Sequence, residues 1–191
     1  MHPEGIGAHV LRREDFKFLT GRGQYVSDLN FEGQLHCAFV RSPHARARFA
    51  ITNADNAAAA PGVVAVMTGA DMAADNVGHM APLWRVPGAG GMKMAEPSRW
   101  PLARGTVQHV GECVAMVVAQ TRDQALDAAE MIEIEWTALP AVVDVRDAVK
   151  PDAPQLHPDV PGNLALRFER GNRATTDEAF ARAKHKIAVD I

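Results

Sequence analysis

The sequence predicts an α/β (α+β) domain in which helices pack on a mixed β-sheet. Segments that alternate between apolar and polar residues, as half-buried strands do, recur along the chain, for example at residues 46–51 and 132–136. Residues that cap helices stand ahead of alanine-rich segments, as Thr121 does. The composition, with 47% hydrophobic and 23% charged residues, is that of an ordinary globular protein.

Composition and charge exclude several classes of protein. The net charge of −3 at pH 7 argues against a nucleic-acid-binding module, which carries a basic surplus. The two cysteines are too few for a disulfide scaffold. The longest apolar stretch, residues 114–119, is far shorter than the roughly 20 residues of a membrane-spanning helix. Residues 1–5 do not show the charged region leading into an apolar region that is typical of a signal peptide. We therefore expect no nucleic-acid partner, no membrane span and a cytoplasmic location.

The first strands of the predicted sheet follow an arm. Residues 1–33 show no sustained hydrophobic period, so we expect them to be irregular. Residues 34–41 and 46–51 alternate as strands, and a turn at Ser42 and Pro43 separates them. The side chains expected to face the core are Leu35, Cys37, Phe39, Ala47, Phe49 and Ile51, and those expected to face solvent are Arg46 and Arg48.

A short helix and a third strand are predicted next. Asn53 or Asp55 can cap an alanine-rich helix over residues 57–60, which a proline–glycine pair ends. Residues 63–68 are rich in β-branched side chains and predict a buried strand. A capping turn follows at residues 68–71.

Residues 74–100 fit no regular element. They combine prolines, glycines, methionines and two tryptophans. A connection of this length is uncommon in a compact domain unless it is functional or disordered. Its apolar content argues against plain disorder, so we expect it to line a pocket or a partner surface.

The second half of the chain predicts the remaining elements. Thr121 or Asp123 can cap a helix that runs through Met131. The predicted strands are residues 107–110, 113–120, 132–136, 164–168 and 186–191. The other predicted segments are a helical turn in 142–149, a proline-rich loop at 151–162, and a helix that begins with a capping box at 175–178 and ends near Lys184.

The last predicted strand ends with the chain. A strand without a closing element suggests a fragment of something longer, and we expect it to be loosely held or to borrow a neighbour. The expected organisation is an arm at residues 1–33, a main domain at 34–150, and a linker with the start of a further domain at 151–191.

No pattern typical of a catalytic centre is present. The eight histidines lack metal-ligand spacing, although a metal site built from distant segments stays an alternative. Cys37 and Cys113 are expected in the core, and the glycines at 21–23 and 88–91 in tight turns. Glu133 and Glu135 are expected on one solvated strand face. We predict no catalytic residue, no cofactor-binding residue and no metal ligand in this chain.

An ordered set of short motifs spans nearly the whole chain. The blocks are REDxxxLTGRGQYxxD at 13–28, GQLHxxxVRSPHA at 33–45, PGVVAVMTGAD at 61–71, PLA at 101–103, VGECVAxVVA at 110–119, AxxAAE at 125–130, LPAVVD at 139–144 and AF at 179–180. In this order they resemble the start of the molybdopterin-binding large subunit of the xanthine dehydrogenase/aldehyde oxidase family, most of all its carbon-monoxide-dehydrogenase-like branch.

The resemblance implies that residues 34–150 form the family's α/β-hammerhead domain. It implies an enzyme that hydroxylates an aldehyde, a heterocycle or a carbon-monoxide-like substrate with oxygen from water. Molybdopterin, with its molybdenum, would be held by a downstream molybdenum-cofactor domain. FAD and 2Fe-2S clusters would be held by an FAD-binding subunit and an iron–sulfur subunit. The family's catalytic motifs match nothing in this chain, so the chain alone is expected to be inactive.

One set of site residues follows from the resemblance. In relatives, the segment that corresponds to residues 76–100 approaches the substrate channel. Leu83, Trp84 and Arg85 are therefore candidate residues at the channel mouth, where an apolar and cationic mixture could position a planar heterocycle or an aldehyde. The alternative is that this loop only packs on the missing domain.

Three functions stay open at this stage. The chain is the N-terminal, structural part of a molybdenum hydroxylase large subunit, or a complete structural subunit of a split enzyme, or a separate small-molecule-binding module. The reading frame after Ile191 distinguishes the first two, and ligand binding by the purified chain identifies the third.

Overall fold

The computed structural model describes residues 5–8 and 10–189 and contains six strands in that part of the chain. The strands are β1 His36–Arg41, β2 Ala47–Asn53, β3 Val63–Thr68, β4 Thr106–Val107, β5 Cys113–Ala119 and β6 Glu133–Ala138. The helices are α1 Asp15–Leu19, α2 Asp55–Ala58, α3 Gly69–Ala74, α4 Arg122–Glu130, α5 Val145–Ala148 and α6 Arg173–Arg182. Short 3-10 turns lie at Val26–Asp28, Ala89–Gly91 and Pro161–Asn163.

The strands form two three-stranded sheets, in the orders β1–β5–β3 and β4–β2–β6. Each described pairing is antiparallel. The predicted class, an α/β (α+β) domain with helices packed on β-sheet, is confirmed. The single mixed sheet that was predicted is instead two sheets, antiparallel at every described pairing. None of the helices in the described ranges is long and apolar enough to cross a membrane.

Helices α2 and α4 cover one face of the first sheet. The buried side chains between them and the sheet are small: Ala57, Ala115, Val117, Ala119, Ala125 and Ala128. Thr121 starts α4 through a capping box, in which its hydroxyl accepts the Gln124 N–H at 3.2 Å and the Gln124 side chain accepts the Thr121 N–H at 3.1 Å. The cap that the sequence predicted at Thr121 is thus confirmed. A second buried cluster joins β5 to the other sheet through Ala47, Val107 and Val114.

The predicted burial of β1 is wrong by one residue. Ala38 is buried, whereas Cys37 and Phe39 are exposed, and Leu35 lies outside the strand and is also exposed. Helix α4 packs on the Ala38 side, because only small side chains let a helix approach the sheet this closely. Cys113 is half-buried rather than in the core.

The second strand follows its prediction, with one exception. Ala47, Phe49 and Ile51 face inward and Arg48 is exposed. The prediction that Arg46 faces solvent is wrong, because its half-buried guanidinium donates to the carbonyls of Pro140, Gln155 and Leu156 at 3.1, 2.9 and 3.3 Å. Arg46 thereby holds the 151–162 loop against the sheet.

Several element boundaries also differ from the sequence prediction. The helix predicted at 57–60 begins earlier, at Asp55, with Ala54 at its cap and no side-chain cap. The strand predicted at 107–110 is only β4, since residues 108–112 turn back toward β5. The arm contains the short helix α1, which was not predicted.

The C-terminal predictions are corrected in two places. Residues 164–168 are not a strand, because their neighbour is the irregular 89–95 segment, to which only isolated backbone bonds are formed (Ala89 N–H to Arg167 O, 2.7 Å; Ala95 N–H to Ala165 O, 2.8 Å). The α6 helix is confirmed, but Asn172 caps it, accepting the Thr175 N–H at 3.1 Å, in place of the predicted box.

The predicted strand at the end of the chain is absent over residues 186–189, which have no regular structure; residues 190–191 lie outside the described ranges. That these residues are loosely held stays a prediction. Fast amide exchange at 186–189 would support it, and strong protection in the monomer would contradict it.

Candidate functional site

The 76–100 loop is closed at its base by backbone and aromatic contacts. The Met80 N–H donates to the Arg99 carbonyl at 2.8 Å, and the Arg104 guanidinium donates to the Val77 carbonyl at 3.1 Å. The same guanidinium lies 3.5 Å from the ring centroid of Trp100. His79 meets that ring edge-on at 5.6 Å. These contacts fix both ends of the loop beside α3 and β4.

An ion pair closes the outer part of the loop. The Arg85 guanidinium donates from Nε to Oε1 of Glu96 and from Nη2 to Oε2, the second bond at 2.9 Å. A fork-shaped guanidinium matches a carboxylate in this two-point geometry. Hydrogen bonding from Arg85 lowers the pKa of the Glu96 carboxyl. The loop therefore has a defined shape across this pair.

The three candidate channel residues have different surroundings. The side chains of Leu83 and Trp84 are exposed, at 102% and 83% of their full accessible areas. Arg85 is held by Glu96, so its charge is balanced within the loop. Leu83 and Trp84 thus form an exposed apolar tip of the loop. Arg85 supports this tip through its ion pair with Glu96.

The second half of the loop rests on the C-terminal segment. The Gly88 N–H donates to the Met92 carbonyl at 2.9 Å. A Cβ atom at Gly88 would lie 2.7 Å from that carbonyl oxygen and 3.0 Å from the Leu166 side chain, so no larger residue fits without a shift. Contacts with residues 165–167 therefore determine the position of this part of the loop.

A second surface, which we call the open sheet face, lies opposite the helices on the first sheet. Cross-strand neighbours share a face, so the registers place its residues in two rows. The rows are Cys37, Val118 and Ala65, and Phe39, Met116 and Met67. Cys37 is exposed, Phe39 is 46% exposed, and the other four are half-buried.

The open sheet face was missed by sequence reasoning because the alternation of β1 was assigned to the wrong side. The useful signal was the small size of Ala38 beside the alanines of β5 and α4. Large apolar side chains on the uncovered side of a sheet are typical of an interaction surface.

The N-terminal arm presents a third apolar surface. Exposed side chains include Phe16, Leu19, Tyr25, Val26 and Phe31. Within the arm, Phe18 stacks on Tyr25 at 5.5 Å, and the Arg22 guanidinium lies 5.1 Å from the ring centroid of Phe16. Such local contacts shape the arm without burying its apolar side chains.

Groups that catalyse reactions are not brought together in the described part of the chain. Within residues 5–8 and 10–189, no group of three or more His, Cys, Asp or Glu side chains is arranged to hold a metal ion. Cys37 is exposed, and partial desolvation by its neighbours raises the pKa of its thiol, which is the opposite of activation. Glu133 and Glu135 are exposed on one face of β6, as predicted.

Comparison with known proteins gives the same family from sequence and from structure. Residues 20–140 match the family described as "Aldehyde oxidase and xanthine dehydrogenase, a/b hammerhead domain". The nicotine 6-hydroxylase large subunit of Paenarthrobacter nicotinovorans is 39% identical over 185 residues, covering 96% of this chain and 21% of that protein. The carbon monoxide dehydrogenase large chain of Afipia carboxidovorans is 36% identical over 193 residues, covering 95% and 22%.

A solved structure of a Cu,Mo-CO dehydrogenase has a TM-score of 0.72 to this chain at 35% identity. The match covers 95% of this chain and 23% of that one. The chain therefore spans about a fifth of the length of the relatives that it matches.

Proposed function

Because this chain belongs to the aldehyde oxidase and xanthine dehydrogenase a/b hammerhead family, we propose that it is the N-terminal part of the large subunit of a molybdenum hydroxylase or dehydrogenase. The observation that carries the proposal is 36–39% identity to two such large subunits along 95–96% of this chain. The whole enzyme would act in the cytoplasm on an aldehyde, a heterocycle or a carbon-monoxide-like substrate, with water as the oxygen source.

Molybdopterin would supply the redox chemistry of the whole enzyme when bound. The described residues of this chain do not fit a metal centre, since they bring no three potential ligand side chains together. We therefore assign this chain no chemical step. Electrons would leave through 2Fe-2S clusters and FAD, which the partner subunits would hold.

The proposed role of the chain is structural. Leu83 and Trp84, supported by the Arg85–Glu96 ion pair, would shape the mouth of the substrate channel. The open sheet face would contact the downstream molybdenum-cofactor domain, because such a contact would remove its partly exposed apolar side chains from water. The alternatives are a complete structural subunit of a split enzyme and a small-molecule-binding module.

Molybdenum analysis of two preparations tests the proposal. One is the 191-residue chain alone, and the other is the chain expressed with its downstream polypeptide and the FAD and iron–sulfur subunits. We expect stoichiometric molybdenum in the assembled complex and none in the chain alone. Molybdenum held stoichiometrically by the short chain would overturn the proposal, and so would a complex that assembles and works without this chain.

A further inference from the structure

A cavity of about 390 Å³ lies between the base of the 76–100 loop, the turn that joins β4 to β5, and the end of β1. We propose that this cavity binds a small molecule that carries a carboxylate or phosphate group. The inference goes beyond the structural role proposed above and does not depend on it.

The charge of the lining carries the proposal. Two arginines, Arg41 and Arg99, line the cavity with a single carboxylate, that of Glu112, and His109 and His157 add imidazole groups that can form hydrogen bonds. The charged side chains of the lining therefore carry a net positive charge, whereas the chain as a whole has a net charge of −3. A concave site lined mainly by one sign of charge attracts ligands of the opposite sign.

The one carboxylate is already engaged inside the wall of the cavity. Glu112 accepts the backbone N–H of Gln108 at 2.5 Å, and its carboxylate oxygen lies 3.6 Å from Nδ1 of His109. Glu112 therefore holds the β4–β5 turn in place. Its charge offsets one of the two arginines, which leaves the lining with a net positive charge.

The arginines keep donors for a ligand. Arg41 uses Nη1 to donate to the Gly111 carbonyl at 2.9 Å, and that acceptor is neutral. Within the described ranges, neither Arg41 nor Arg99 forms an ion pair. Guanidinium groups prefer the planar, two-oxygen edge of a carboxylate or phosphate.

The position of Arg41 is well determined. The buried Ser42 beside it donates its backbone N–H to the Glu112 carbonyl at 2.9 Å, and the Gly111 N–H donates to the Ser42 carbonyl at 2.8 Å. The end of β1 and the β4–β5 turn are thus joined by three hydrogen bonds around one corner of the cavity, including the one from Arg41. This corner of the cavity, held on a strand end and a tied turn, is therefore pre-organised for binding.

The remaining lining residues indicate what kind of group the anionic head of the ligand is attached to. Met80, Pro97, Trp100 and Pro101 contribute apolar surface to the same cavity. The Trp100 ring is held by Arg104 and His79. The lining therefore suits an anionic head group attached to a compact apolar or aromatic body, in the manner of most small-molecule sites.

Calorimetric titration of the 191-residue chain with two probes, benzoate and inorganic phosphate, tests the proposal. Tighter binding of benzoate would support a carboxylate ligand with an apolar body, and tighter binding of phosphate would support a phosphate ligand. We expect Arg99→Gln to weaken the better probe about tenfold or more, because a hydrogen bond to a charged group has this effect on affinity. His157→Gln should also weaken binding of that probe, because His157 lines a different wall of the same cavity.

Cys113 provides a local readout, since its half-buried side chain lines the cavity. In a Cys37→Ser background it is the one cysteine of the chain. The bound probe should slow its reaction with a thiol reagent.

The matched control is Arg48→Gln, which removes an exposed arginine from β2, outside the cavity lining. Thermal unfolding of each variant verifies that it is folded. Absence of binding by both probes would overturn the proposal. It would also be overturned if Arg48→Gln weakened binding as much as Arg99→Gln and His157→Gln do, or if the bound probe left the reaction of Cys113 unchanged.

Discussion

The guanidinium of Arg85 donates two hydrogen bonds to the carboxylate of Glu96, which lies eleven positions further along the chain. This pair closes the part of the 76–100 loop that carries Leu83 and Trp84 at its tip. From the sequence, Arg85 was expected to help position a substrate. In the structure it pairs with Glu96 of its own loop, while the side chains of Leu83 and Trp84 stay exposed. The Arg85–Glu96 ion pair therefore holds the loop, and the surface that the loop exposes at its tip is apolar.

Glu96→Gln should loosen this loop without unfolding the protein. An amide cannot replace the carboxylate in the ion pair, and exposed pairs contribute little to global stability. Faster amide hydrogen exchange over residues 85–96, with an unchanged unfolding midpoint, is the expected result. Glu133→Gln, on the exposed face of β6, is the matched control and should leave this exchange unchanged.

The same pair predicts a pH dependence of the loop. Arg85 lowers the pKa of Glu96 in the folded chain. The stabilisation is therefore complete above the ordinary glutamate pKa and is lost as the pH falls through the lowered value. Exchange over residues 85–96, corrected for its intrinsic pH dependence, should rise in that acid range. A rise already near pH 7 would contradict this assignment.

The start of α3 should contribute to stability in a pH-dependent way. The hydroxyl and backbone N–H of Thr68 donate to the Asp71 carboxylate at 2.6 and 2.7 Å, which lowers the pKa of Asp71. This stabilisation is present above the ordinary aspartate pKa and is lost as the pH falls through the lowered one.

Asp71→Asn should therefore lower the free energy of unfolding at pH 7 by about 0.5–1 kcal/mol, as is typical of one exposed capping interaction. It should also flatten the acid part of the stability–pH curve, measured by urea unfolding. Asp127→Asn, on the exposed side of α4, should change neither quantity by as much. Equal effects of the two variants would rule out the capping explanation.

The open sheet face predicts an assembly defect for Phe39→Ser. The side chain is already 46% exposed, so its loss should destabilise the chain much less than the 3–5 kcal/mol typical of a buried aromatic. Co-purification with the downstream polypeptide should fall strongly, because the contact surface loses its largest apolar group. Phe180→Ser, at 57% exposure on α6, is the matched control. Normal co-purification of the Phe39→Ser variant would argue against this face as the contact.

Trp84→Ala distinguishes the two roles of the 76–100 loop in the assembled enzyme. At the channel mouth, the change should raise KM or alter substrate preference while molybdenum content stays normal. If the loop only packs on another domain, assembly and molybdenum content should fall instead. Val143→Ala, which removes an exposed apolar side chain elsewhere, controls for a general surface effect.

Local signals in the sequence were sufficient for much of the fold. The Thr121 cap of α4, the alternation of β2 and the irregular 76–100 loop were all predictable, since each depends on neighbours only a few residues away. The family resemblance was also available from the sequence, because it rests on short motifs in a fixed order.

The inward face of β1 could not be predicted in the same way. Both of its faces carry apolar residues, so alternation alone does not select one. Helix α4 selects the face with Ala38, because close packing of a helix on a sheet requires small side chains. Phe39 is left outside, where it forms part of the open sheet face.

The sequence by itself determined the class of fold, the caps of α3 and α4 and the family, because these follow from periodicity, local hydrogen bonding and motif order. Only the tertiary structure decided which apolar side chains stay exposed and which basic side chains line the same cavity. Arg41, Arg99 and His157 are far apart along the chain and line one cavity only because β1, the loop base and the 151–162 segment pack together. Contacts of this kind depend on the whole fold, and no local pattern encodes them.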